Sequence, residues 1–162
     1  TFPEDSEVEK FERSCFNGSH IKKLRIPPKL KYLDDGWAAC LKDLSEIEIS
    51  PKNKFFIYYD NKFLIGKSQK NCDQFDVFYF TRRDIKEVVI PDQIRIIKID
   101  SLSESNQMKS VTFSPNSKLE KIEGCAFCHS KFQKLMFPAS IKVIDDSIYF
   151  KFSEIFFFKR RN

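Results

Sequence analysis

The residues best placed to do chemistry are Cys125-Ala126-Phe127-Cys128-His129. Two thiols at this spacing with an imidazole next to the second form the pattern that attaches haem covalently. The same thiols are half of a tetrahedral zinc site, which needs two further ligands. His129 is adjacent, but Cys15 and His20 lie far off in the first stretch of chain, and no second C-x-x-C occurs. Disulfide exchange and a Cys–His nucleophile are formally open as well. No orienting group or oxyanion donor is legible beside His20 or His129, the only histidines. The 4 glycines form neither GxGxxG nor GxxxxGK[ST], so no phosphate loop is expected. The expectation is a chain without catalytic, metal-binding or cofactor-binding residues: a binding protein and not an enzyme.

Charge and cysteine usage narrow the partners. Net charge is 28 − 23 = +5, with the two signs interspersed. A nucleic-acid binder concentrates Lys and Arg on one face, whereas the basic run here is Lys159-Arg160-Arg161, read as a solvated tail. No nucleic-acid partner is expected. No apolar stretch reaches the ~18 residues of a membrane span. No signal peptide is legible, and because the chain opens on Thr1, as a processed or excised piece would, that absence decides little. Five cysteines, Cys15, Cys40, Cys72, Cys125 and Cys128, are an odd number. They fit free, half-buried thiols or one bridge plus free thiols, and leave the compartment open. Asn17-Gly18-Ser19 is an N-glycosylation sequon in a stretch that reads as a turn.

The elements that must carry these residues are repeats. Sliding the chain against itself by 111 sets Val8-Glu9-Lys10-Phe11-Glu12 on Leu119-Glu120-Lys121-Ile122-Glu123. It sets Phe16 on Phe127, Ser19 on Ser130, and Leu24-x-Ile26-Pro27 on Leu135-x-Phe137-Pro138. The C-x-x-C-H motif therefore lies inside a repeat frame, where a haem would displace packed core. Pro3, Pro27, Pro51, Pro91, Pro115 and Pro138 are spaced by 24, 24, 40, 24 and 23 residues. A unit of about two dozen residues, interrupted once, falls in the leucine-rich-repeat range.

Each unit ends in an alternating run, then proline. Ile21 to Ile26, Leu44 to Ile49, Ile85 to Ile90, Met108 to Phe113 and Phe132 to Phe137 read as short strands, stopped where proline has no N–H to give. Such a strand cannot bury its apolar side alone, and stacking in parallel lets neighbours do it. The returns carry Leu30, Leu33 and Trp37; Ile94, Ile97 and Leu102; Leu119, Ile122 and Phe127; and Ile141, Ile144 and Tyr149. They are expected to be turns of helix or irregular coil. In the longer gap, Phe55 to Tyr59 and Phe63 to Ile65 flank Asp60-Asn61 and read as an inserted β-hairpin, with Phe75 to Phe80 a further strand.

With these residues in place the chain resembles the BspA-like leucine-rich repeat family of bacterial and trichomonad surface proteins. The resemblance is carried by Leu24-Arg25-Ile26-Pro27, Val88-Val89-Ile90-Pro91 and Ile122-Glu123-Gly124-Cys125-Ala126-Phe127. Trp37 with Cys40 is similar to the same unit with Trp standing for Phe, and Tyr59 to Ser68 is similar to the hairpin inserted in many members. Ser101-Leu102 and Ile148-Tyr149 depart from the Ala-Phe pair, which makes the last unit look terminal, capping or truncated. The resemblance implies a cell-surface or secreted adhesion protein or surface antigen that engages host proteins, matrix or other cells. The alternative is an intracellular, cytoskeleton-associated scaffold.

The expected fold is a leucine-rich repeat solenoid, a β-rich α/β class with a single-layer parallel sheet and one strand per repeat. It forms one domain over residues 1–162, with repeats about 1–51 and 85–162 and the hairpin insertion about 52–84. The expected protein-binding surface is the outward side of the strands. It comprises Lys23, Arg25, Glu46, Glu48, Glu87, Val89, Ser110, Thr112, Lys134 and Met136, continued by Glu154 and Phe156. Its mixed charge suits a protein better than a polyanion. Phe156-Phe157-Phe158 is expected to leave an edge open to another repeat, subunit or cap.

Overall fold

The computed structural model describes residues 2–69, 73–131, 134–145 and 154–157, with backbone alone for Lys134 and for Glu154–Phe157. Cys72, Phe132, Ile148-Tyr149, Phe158 and the Lys159-Arg160-Arg161 tail lie outside the described residues. The chain winds as a β-solenoid with two walls. The front wall holds β2 (Lys23–Ile26), β4 (Glu46–Ile49), β8 (Glu87–Ile90), β10 (Ser110–Phe113), β12 (Lys134–Phe137) and β14 (Glu154–Phe157). They pair in parallel as β2–β4, β8–β10 and β12–β14, with Leu24 opposite Ile47, Val88 opposite Val111, and Leu135 opposite Ile155. Alternation decides the facing: Leu24, Ile26, Ile47, Val88, Ile90, Val111, Leu135 and Phe137 are buried, and the residues between them point out. Pro27, Pro91 and Pro138 follow their strands directly, while Pro51 and Pro115 follow one residue later. The paired segments begin later than expected, because Leu44 and Met108 are buried ahead of the ladder rather than on it.

The returns differ from the expectation in one respect. They hold no helix among the described residues, and each carries a two-residue strand. These are β1 (Lys10–Phe11), β3 (Tyr32–Leu33), β9 (Ile96–Ile97), β11 (Lys121–Ile122) and β13 (Val143–Ile144). They make a second parallel wall, β1–β3 and β9–β11–β13. Two residues are too few to show a period, so this wall is silent in the sequence. Charge decorates it along the coil axis. Arg95 meets Glu120 at 2.9 Å, Glu120 meets Lys142 at 3.0 Å, and Lys98 meets Glu123 at 2.7 Å.

Past β1, β3, β9 and β11 the chain turns through a left-handed residue. Ser14, Gly36, Asp100 and Cys125 occupy the same slot, with φ of 56°, 75°, 59° and 54°. Four residues later, Gly18, Glu104 and His129 repeat the conformation at 73°, 56° and 58°. Side chains other than Gly and Asn adopt it at a cost, which the stacked turns offset with backbone bonds. Leu102 N–H donates to Ala126 O at 2.8 Å, and Glu104 N–H donates to Cys128 O at 2.9 Å. Buried Ser101 and Leu102 fill the positions of Ala126 and Phe127, so the departure from Ala-Phe keeps the packing.

The insertion is a wall rather than an appendage. β5 (Phe56–Tyr59), β6 (Phe63–Gly66) and β7 (Val77–Thr81) form an antiparallel sheet, and β7 joins the return ladder parallel to β9. Asp60 and Asn61 both have φ of 51°, the two left-handed central residues of a type I′ turn, closed by Lys62 N–H to Tyr59 O at 3.0 Å. Leu64, Phe80 and Phe56 pack with the N-terminal core around Trp37. Phe63, Ile65 and Phe78 pack with the C-terminal core around Phe127. A strand shows alternate residues to opposite faces, so one sheet buried on both sides divides the two cores. Gly66 is where this sheet is thinnest. A Cβ there would lie 2.8 Å from the Tyr79 ring and 2.9 Å from that of Phe56.

Candidate binding face

The outward residues of the front wall fall into two unlike halves. In the N-terminal half the charges satisfy one another. Lys23 Nζ donates to Glu46 at 2.9 Å and to Glu48 at 2.6 Å. The bond from Lys23 holds the Glu48 carboxyl below its ordinary range, and the bond to Glu48 raises the Lys23 ammonium. Arg25 is paired with Glu4, whose other oxygen accepts from Ser50 Oγ at 2.8 Å. The N-terminal segment is thus laid against the start of this face.

The C-terminal half is less charged. Val89 stands opposite Thr112, and Met136 holds the corresponding outward position on the next strand. Val89 is 58% exposed and Met136 40%. Thr112 is exposed, and its Oγ1 donates to Val88 O at 3.4 Å. Glu87 is exposed and Ser110 half-buried. Lys134, Glu154 and Phe156 keep their backbone register here, with Lys134 opposite Glu154 and Met136 opposite Phe156.

Beside Val89 the hairpin turn and the wall border an open cavity of about 440 Å³. Tyr59, Asp60 and Phe63 line one side, and Val89, Asp92 and Gln93 the other. Tyr59 and Phe63 stack with ring centroids 6.2 Å apart. The sequence shows the hairpin but not what it would border, so Tyr59, Asp60, Phe63 and Asp92 were not among the expected face residues. Tyr58, one place earlier, is half-buried, and burial pushes its phenol up to about 12.

The thiols and histidines are dispersed. Cys15 is exposed, Cys40 and Cys125 are half-buried, and Cys128 is buried. Cys125 and His129 are the two left-handed residues of one turn, the positions that Ser14 and Gly18 hold in the first repeat, so the C-x-x-C-H spacing is also the spacing of this corner. His20 is exposed and pairs with Asp43 at 3.1 Å. Among the described residues no three His, Cys, Asp or Glu side chains gather as a metal site. No described helix is long and apolar enough to cross a membrane. Asn17 of the sequon is exposed on its turn.

The repeat geometry has a counterpart among known families. The model of the BspA type leucine rich repeat region matches in six copies, over residues 1–64 and 73–160. The chain belongs to the BspA-type leucine-rich repeat family. No curated protein matched it. Among solved structures, this BspA-type chain is similar to a leucine-rich repeat protein from Eubacterium ventriosum, at 16% identity and TM-score 0.75. That similarity covers 96% of this chain and 41% of the other. It is also similar to a leucine rich cell surface protein from Faecalibacterium prausnitzii, at 16% identity and TM-score 0.55, over 95% of this chain and 52% of that one. At these identities the likeness shows the fold. The BspA-type chain spans about half the length, or less, of these structures.

Proposed function

We propose that this BspA-type solenoid is a non-enzymatic protein-binding module of the cell-surface adhesion kind. It would engage host, matrix or cellular proteins through the C-terminal half of its front wall. The observation that carries the reading is the row Val89, Thr112 and Met136. It places two exposed apolar side chains around a hydroxyl beside an open depression lined by Tyr59. Interface centres favour such apolar and aromatic groups over charge. The N-terminal half, with Lys23, Arg25, Glu46 and Glu48 already paired, serves as rim. The similar Faecalibacterium prausnitzii structure is that of a leucine rich cell surface protein, which supports the localisation.

The test is binding of the purified chain to immobilised matrix proteins and to cultured cells. Val89→Asp with Met136→Asp should weaken binding about tenfold or more, since one central anchor is worth at least 1–2 kcal/mol. Tyr32→Asp, on the return wall, should leave it unchanged. Equal retention by both variants, or no binding by the native chain, refutes the reading. A scaffold inside the cell remains the second reading, favoured by the free thiols Cys15, Cys40, Cys125 and Cys128. Labelling of intact cells with an impermeant biotin reagent, combined with thiol counting, separates the two.

A further inference from the structure

The front-wall ladder is interrupted between β10 and β12, and more widely between β4 and β8, where the break leaves two strand edges without a paired neighbour among the described residues. The backbone bonds fix which groups face it. Ser110 N–H donates to Lys86 O at 3.4 Å, and Ser114 N–H donates to Ile90 O at 3.1 Å. Along a strand the N–H and C=O of one residue point to the same side, and the side alternates. Val88 and Ile90 therefore face β10, while Glu87 and Val89 present their amides and carbonyls towards β4. Glu46 N–H donates to Lys22 O and Ser50 N–H to Ile26 O, each at 3.0 Å, so Ile47 and Ile49 present theirs towards β8. Among the described residues no strand pairs with β8 or β4 across this break. The two sides meet at one end, where Arg83 N–H donates to Leu44 O at 3.1 Å. At the other end of β8 stand the hairpin turn and the cavity of about 440 Å³ beside Val89.

The rim of the break carries an excess of acid, although the chain as a whole is basic: Lys86, exposed next to Glu87, is outnumbered by the carboxylates of Glu46, Glu48, Glu87 and Asp92. Lys62 is engaged with Asp60 at 2.7 Å, and Arg82 holds Asp84 through two bonds of 2.6 Å. Lys23 is shared between Glu46 and Glu48. Glu87 and Asp92, on either side of Val89, are exposed and have no basic partner among the described residues. Tyr59, 39% exposed and backed by the buried Phe63 ring, lines the same cavity as Val89 and offers a ring face of the kind that attracts cations.

We propose that the break is a strand-addition site for an extended, basic polypeptide segment. The added strand hydrogen-bonds to Glu87 and Val89 along the β8 edge. Its alternate Lys or Arg side chains lie beside Glu87, Asp92 and the Tyr59 ring. An unpaired edge supplies affinity through main-chain bonds, and the flanking side chains supply selectivity. This rests on the protein-binding reading and specifies which segment of a partner is held.

The experiment titrates isotope-labelled chain with an acetylated, amidated peptide of alternating Thr and Lys, about eight residues long to match one strand. Amide shifts are followed by NMR. The expected result is saturable binding with the largest shifts at Glu87 and Val89. Methylating alternate peptide nitrogens, or replacing Lys by Glu, should weaken binding about tenfold, as should Glu87→Lys with Asp92→Lys in a chain of unchanged melting temperature. Equal affinity for the N-methylated peptide overturns strand addition, and equal affinity for the acidic peptide overturns the charge assignment. Shifts elsewhere, no binding at millimolar peptide, or closure of the break by a second copy of the chain in sedimentation overturns the site. If the peptide fails while Val89→Asp with Met136→Asp still abolishes cell or matrix binding, the module reading stands without this site.

Discussion

Arg83 shows how much a single residue can do out of sight of the sequence pattern. It sits in the link between β7 and β8, is 5% exposed, and packs its guanidinium 4.4 Å from the centroid of Phe80. Its donors reach Leu41 O, Ser101 O and Asp100 O, each at 3.4 Å, tying the N-terminal repeats to the C-terminal ones. Burial lowers it to about 9 against the opposing pull of the Asp100 and Glu104 carboxylates, so it remains a cation at neutral pH, hydrogen-bonded to carbonyls and packed on a ring. Nothing in Thr81-Arg82-Arg83-Asp84 distinguishes the buried arginine from the half-buried one bonded to Asp84, because burial of a charge depends on what packs over it. Arg83→Ala leaves a cavity and removes the guanidinium from Leu41 O, while Ser101 O keeps Thr81 N–H and Asp100 O keeps Ser103, and should lower unfolding stability by about 2–4 kcal/mol in a urea titration. Arg83→Lys should recover only part of that, since one ammonium cannot span three separated acceptors. Gly66 makes a second point at this scale. Its Cβ position is occupied by aromatic carbons from two sides. Gly66→Ala should therefore cost about 1–3 kcal/mol by overpacking, although a strand ordinarily prefers alanine to glycine.

Elements were legible wherever they were long enough to alternate. The front strands announced themselves through Leu24-x-Ile26-Pro27 and its copies, and the hairpin through two aromatic runs around Asp60-Asn61. The two-residue return strands could not, and neither could the left-handed corners, which Ser14, Asp100, Cys125, Glu104 and His129 fill without glycine. The outward side of the front wall followed from period two alone. Its division into a self-paired half and an open half did not, because Glu4 arrives from outside the repeat pattern to meet Arg25. The return wall bears on pH. Hydrogen bonds from Lys142 and then Arg95 hold the Glu120 carboxyl below its ordinary 4.5. Its folded-state value is depressed, so its contribution is complete above that ordinary value and is lost as pH falls through the folded one. The melting temperature of Glu120→Gln should therefore lie below that of the native chain at pH 7. The gap should close on acidification below the carboxylate range, and added salt should shrink it, as for any exposed pair.

For the whole molecule, the consequence of the hairpin is that two stacks of repeats share one dividing sheet. In a solenoid each repeat is held by its neighbours, so opening ordinarily begins at the ends and stability is nearly a sum of local terms. Here β6 is buried at all four positions, with its side chains committed to both cores, and it is hydrogen-bonded on both edges. Separating either stack must strip one face of that sheet. Direct ties add to this, Lys98 to Asp35 at 3.0 Å and, at the end of the front-wall break, Arg83 to both sides. The most protected amides should therefore lie in the middle of the chain, at Leu64, Ile65, Phe78 and Phe80, with protection falling away towards β1 and β13. Hydrogen exchange followed by mass spectrometry reads this directly. Arg83→Ala should lower protection on both sides of the hairpin together if the sheet couples the stacks. A loss confined to one side would mean that the stacks open independently, and the break between β4 and β8 would then be a seam between separate units and not a groove with two fixed walls.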